Sequence, residues 1–194
     1  VALGRVGVWI YRRRLEEART DEAERAACWV GLGFWLSALG DREGALVATR
    51  EAVELYRSMS TQRPDVFLPN LAMSLNNLGN MLSAMGLREE SLAAMLEAAD
   101  HYRSIVESRP DAFLSYLANS LNNLGNKLSA LGNQEGALAA TRQAVELYRR
   151  LSVQRPDVTL PDLAMGLNNL GTVLSDLGDR EGALAATREA VERY

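Results

Sequence analysis

The chain has 194 residues, 47% of them apolar and 24% charged, with a formal net charge of −4. This is the balance of an ordinary folded protein. Lys127 is the only lysine among 21 basic residues, and no basic stripe appears, so a nucleic-acid partner is not expected. A single cysteine, Cys28, excludes an internal disulfide framework and a Cys-rich zinc site, and reads as a small buried apolar residue. No 18-residue apolar run and no signal peptide is present, so no membrane partner is expected and the expected compartment is cytoplasmic.

In chain order, residues 2–18 read as one helix, and YRRRLEEAR within it resembles the later YRRLSVQR. Residues 1–19 are therefore expected to be the second helix of an upstream partial repeat. Asp21 followed by Glu24 has the form of a capping box opening the next helix. From there the chain repeats. LNNLG begins at Leu75, Leu121 and Leu167, each 46 residues after the last. DREGALVATREAVELY from Asp41 and DREGALAATREAVERY from Asp179 differ at two of sixteen positions. Tyr56, Tyr102, Tyr148 and Tyr194 share a register, as do Arg-Pro-Asp at 63–65, 109–111 and 155–157. A fixed period of this size marks stacked supersecondary units. The units are placed at 20–65, 66–111, 112–157 and 158–194. The chain lacks an initial Met and stops inside a repeat, so it reads as a piece of a longer protein.

Each unit shows two helical patterns. Leu71, Leu75, Leu78 and Leu82 follow the spacing of one helix face, closed at Gly86 by a residue suited to the left-handed conformation. Leu92, Met95, Leu96, Ala99, Tyr102, Ile105 and Val106 make a second stripe that stops near Pro110. Asp41, Asn133 and Asp179 stand where an N-cap would sit. Gly33, Gly79, Gly125 and Gly171 recur midway along the first helix, where glycine costs about 1 kcal/mol relative to alanine, so close approach of a neighbouring helix is expected. Small residues recur to match at Ala45, Ser91, Ala137 and Ala183, and at Ala52, Ala98, Ala144 and Ala190. Nothing alternates with period two, so the fold class is all-α.

These residues resemble the tetratricopeptide repeat. Leu75, Leu78, Gly79, Leu82, Ser91, Met95 and Ala98 fill the positions of its pattern. Leu121, Leu124, Gly125, Leu128, Ala137, Thr141 and Ala144 do so again, then Leu167, Leu170, Gly171, Leu174, Ala183, Thr187 and Ala190. The family period is about 34 residues, and this one is longer. The long form is similar to repeats of kinesin light chains and of bacterial proteins carrying NB-ARC, NACHT or caspase-like domains. The resemblance implies a right-handed α-solenoid of antiparallel helix pairs. It implies no cofactor, and a role in binding a protein or peptide along a concave face lined by first helices.

On that face the resemblance places Asn76, Asn80 and Ser83, then Asn122, Asn126 and Ser129, then Asn168, Thr172 and Ser175. An amide can donate and accept at once, which suits a peptide backbone. The alternative is that some of these asparagines bond to a neighbouring helix and serve folding. Asn77, Asn123 and Asn169 are expected nearer the seam between repeats. Members that hold a C-terminal carboxylate use cations, and Met73, Asn76, Asn77, Asn119, Asn122, Asn123 and Met165 supply none. In the first unit Val30 and Phe34 occupy groove positions beside Trp35. They form either an apolar peptide pocket or, the weightier expectation, a patch covered by the upstream repeat.

His101, the only histidine, is expected to be solvated. No second histidine, activated nucleophile or phosphate-binding loop accompanies it, so an enzyme is not expected. The alternative function is a regulatory sensor, spacer or oligomerisation arm of a larger multidomain protein. Leu184 and Val191 near one end, and Val6, Trp9 and Ile10 near the other, raise the expectation of head-to-tail self-association.

Overall fold

The computed structural model describes residues 2–18 and 21–193. Tyr194, the last tyrosine of the repeated register, lies outside the described residues. Those described form nine helices: α1 (Ala2–Glu17), α2 (Glu22–Ala38), α3 (Arg42–Gln62), α4 (Pro64–Ala84), α5 (Arg88–Ser108), α6 (Pro110–Ala130), α7 (Gln134–Gln154), α8 (Pro156–Asp176) and α9 (Arg180–Arg193). Even-numbered helices from α2 are first helices of the pairs, and α3, α5, α7 and α9 are second helices. The chain divides into two compact units, Val1–His101 and Tyr102–Tyr194, with the division inside α5.

Local chemistry sets most helix ends. Asp41, Asn133 and Asp179 each accept a bond from the backbone N–H three residues on, at 2.9, 3.0 and 2.9 Å, which satisfies an otherwise free amide of the first turn. Asp21 accepts from the amides of both Ala23 and Glu24 at 3.0 Å. The return half of the expected capping box is replaced, because the Glu24 carboxylate accepts from Arg14 of α1 at 3.3 Å. Gly86 closes α4 with φ +79°, a conformation that a side chain would strain. The prolines have a second role beyond ending helices. Pro64, Pro110 and Pro156 are the opening residues of α4, α6 and α8, where a missing N–H costs nothing. Those helices therefore begin about two turns before the first expected leucine, and Gly79 lies in the C-terminal half of α4 rather than midway.

In the unit Val1–His101, α2 packs on α3 and α3 on α4. One cluster joins Val53, Tyr56, Leu71, Leu75 and Leu82; another joins Leu32, Leu36, Ala45 and Ala48. The second-helix stripe is narrower than its sequence suggests. Met95, Ala98, Ala99, Tyr102 and Ile105 are buried, whereas Leu96 is exposed. In the unit Tyr102–Tyr194, Leu121, Val145, Tyr148, Leu163 and Leu167 are buried to the same degree. Burial of the Tyr148 ring raises its phenol pKa, and the hydroxyl donates to Asn119 Oδ1 at 2.6 Å.

The recurrent glycines mark where helices nearly touch. A Cβ on Gly125 would overlap Thr141 Oγ1 and lie 3.4 Å from the Ala137 carbonyl oxygen. On Gly79 it would lie 2.6 Å from Met95 Cγ. Ser91 uses the same proximity, donating its hydroxyl to the Gly79 carbonyl at 2.8 Å. Second helices are also tied to each other within each unit. Arg57 of α3 reaches both carboxylate oxygens of Glu97 at 2.9 Å, and Arg149 of α7 reaches Glu189 of α9 at 2.6 Å. These pairs are partly solvated and contribute little to stability. Cys28 is a free thiol with no exposed surface, and burial raises its pKa.

Candidate functional site

The unit Val1–His101 holds an open cleft of about 610 Å³, within the range of about 300–1,000 Å³ typical of ligand sites. Tyr11 of α1, Val30 and Phe34 of α2, and Ser74, Asn77, Asn80 and Met81 of α4 line it, with Thr49 of α3 also in its wall. No lining residue carries a charge at neutral pH.

The helices set the walls in identifiable ways. The Tyr11 ring lies over Gly31, where any Cβ would overlap it, and the Trp35 indole lies over Gly7 of α1 in the same manner. These two glycines let α1 seat against α2. Trp35 is thereby half-buried. Phe34 meets it edge-on, with ring centroids 5.2 Å apart and planes at 78°, yet remains 65% exposed. Of the patch expected to lie beneath the upstream repeat, α1 packs over the Trp35 indole, and among the described residues the Phe34 ring stays exposed. The Thr49 hydroxyl is committed, donating to the Ala45 carbonyl at 2.9 Å and lying 3.1 Å from Met81 Sδ. Ser74 differs. It is 1% exposed, and its Oγ has no hydrogen-bond partner among the described residues.

The expected groove residues fall into several environments. Asn80 is exposed at the cleft, while Asn76 and Ser83 are half-buried and already engaged. Asn77, expected nearer a seam, is exposed and lines the cleft. In the unit Tyr102–Tyr194, Asn122 is only 2% exposed, and its Oδ1 accepts from Asn169 Nδ2 at 2.9 Å, joining α6 to α8. Asn126, Asn168, Thr172 and Ser175 are exposed. The Thr172 hydroxyl donates to the Asn168 carbonyl at 3.1 Å, and the half-buried Ser129 lies 3.4 Å from Gln134 Oε1. Lys127, in register with Trp35 and Met81, is 7% exposed. Tyr11, Thr49, Ser74 and Met81 were not among the expected site residues. The register gave one signal for the cleft, since it puts Val30 where Asn76, Asn122 and Asn168 stand.

His101 is a correction. Rather than solvated, its Nε2 is buried without a hydrogen-bond partner among the described residues and lies 3.6 Å from Glu97 Oε1. Its side chain as a whole keeps 28% of its exposure. Among the described residues no cluster of His, Cys, Asp and Glu could hold a metal ion, and no helix is long and apolar enough to cross a membrane.

Residues 71–110, 117–155 and 163–194 match the tetratricopeptide-repeat family profile. The chain belongs to the tetratricopeptide-repeat family. Solved structures agree on the all-α helical-solenoid fold. BtubC (BKLC) from P. vanneervenii superposes with a TM-score of 0.82 at 19% identity, covering 98% of this chain and 72% of that one. TPR-like repeats of the kinesin-light-chain kind from Podosopora anserina give 0.70 at 16%, covering 98% and 86%. A Rap protein complexed with Competence and Sporulation Factor gives 0.70 at 13%, covering 96% of this chain and 47% of that one. No curated protein sequence matches the chain. For this tetratricopeptide-repeat protein, the family and the fold both indicate an interaction scaffold.

Proposed function

We propose that this protein binds a peptide or a segment of a partner protein along its first helices, with the cleft between α2 and α4 as the principal site. The observation that carries the proposal is an open, uncharged cleft whose rim combines an exposed phenyl ring, Phe34, with two exposed amides, Asn77 and Asn80. Apolar surface with a few polar groups that fix orientation is the composition of a ligand site. The Rap protein complexed with Competence and Sporulation Factor has the same fold, which supports a binding role for this one.

Selection of short random displayed peptides against the protein tests this. Enriched peptides should bind wild type, and Phe34→Ala combined with Asn80→Ala should abolish binding with helical circular dichroism unchanged. Enrichment no better than on an unrelated helical protein would end the proposal. A second reading is self-association, favoured by exposed Val6, Trp9 and Ile10 on α1 and Leu184 and Val191 on α9. Light scattering should then show mass rising with concentration, and a constant monomer mass would contradict it.

A further inference from the structure

Position 30 of the first unit is the point of departure. In register, Val30 stands where Asn122 stands, and Asn77 stands where Asn169 stands. Asn169 donates to Asn122, so the α6–α8 pair spends one amide on the other. Valine has no acceptor. The amide of Asn77 therefore shares the cleft with an apolar residue where the α6–α8 pair has a carbonyl, and both its donor and its acceptor remain available at the cleft wall. One substitution within the repeat converts a structural amide pair into an unoccupied recognition group.

A second observation points the same way. Ser74, one helical turn before Asn77, is buried at the same wall with an unpartnered Oγ. A buried hydroxyl without a partner is costly and rare in folded proteins. Here it lies in the wall of the cleft.

We infer that the cleft takes an extended, uncharged stretch of a partner protein carrying one large apolar side chain, its backbone held by Asn77. This rests on the peptide-binding proposal above and specifies the ligand chemistry. The segment is extended because Asn77 offers a donor and an acceptor together, and only a chain outside a helix has free backbone N–H and C=O groups to match them. It is uncharged because no lining residue could neutralise a carboxylate or an ammonium, and an unpaired charge there would lose its hydration without compensation. The apolar side chain is set by Val30, Phe34 and Met81. Phe34 supplies an exposed ring face, and Met81 a thioether able to adapt to a branched or an aromatic guest.

The test uses the tightest peptide from the displayed library, with both ends capped, titrated by fluorescence polarisation. Its apolar anchor is replaced in turn by Asp and by Lys, and the protein is varied as Asn77→Ala and Val30→Asn. Either charged anchor should weaken binding by more than roughly tenfold. Asn77→Ala should weaken it roughly two- to tenfold. Val30→Asn should do the same by giving Asn77 an internal partner, with the melting temperature held near wild type. Enriched peptides rich in acidic or basic residues would overturn the inference, as would full affinity in both protein variants, while leaving peptide binding in place. Absence of any enriched peptide would instead overturn the binding proposal beneath it.

Discussion

Asn77 and Asn169 occupy the same place in the repeat and are surrounded differently. Asn169 finds a carbonyl on the preceding first helix and closes that seam at 2.9 Å. Asn77 finds Val30, and the seam beside it opens into a cleft. A repeat protein can thus build scaffold and site from one sequence unit, changing only the partner of a side chain it already carries. The difference also explains why an asparagine ladder alone is a poor guide to binding: Asn122 looks equivalent to Asn76 and Asn168 on paper, yet it is the one sealed beneath its neighbour.

The comparison can be broken most strongly at the glycine crossings. Gly125→Leu should cost about 1–3 kcal/mol through overpacking, read as a lower melting temperature, because even a Cβ there overlaps Thr141. Gly33→Ala should cost less, since its Cβ would meet Thr49 Oγ1 at 3.0 Å. Equal effects would show that the two crossings are not as different as their distances indicate.

The asparagines should separate next. A double-mutant cycle on Asn122→Ala and Asn169→Ala should give a coupling of about 0.5–1.5 kcal/mol, the worth of one amide bond. Asn77→Ala should change stability by less than about 0.5 kcal/mol, as surface substitutions do. A destabilised Asn77→Ala would mean that this amide also serves the fold. The smallest effect is expected from Val30→Asn, which should leave unfolding free energy within about 0.5 kcal/mol because a gained amide bond offsets lost apolar burial.

Helix type, the repeat period and the caps were legible in the sequence because each has a local cause. Asp41, Asn133 and Asp179 cap through bonds three residues away, and Gly86 turns because it lacks a Cβ. The starts of α4, α6 and α8 were harder, because Pro64, Pro110 and Pro156 stop one helix and open the next, and only the stop is visible in a hydrophobic pattern. The cleft was partly legible. Val30, Phe34 and Asn80 were marked by register. Tyr11, Thr49 and Ser74 were not, because their part depends on how α1 and α3 seat against first helices, which rests on the close contacts at Gly7, Gly31 and Gly33. His101 was misread for a related reason. Its neighbours along the chain are charged and its side chain is partly exposed, but the cover over Nε2 is decided by the fold.

The central claim is that Asn77 is free to recognise a ligand while Asn122 and Asn169 are committed to each other. The most direct measurement is a nitrogen–proton correlation spectrum of the side-chain amides during titration with an enriched capped peptide. The account predicts that the Asn77 and Asn80 amide signals shift with saturation, and that those of Asn122 and Asn169 stay where they are. Shifts at Asn122 and Asn169 with Asn77 unmoved would contradict it.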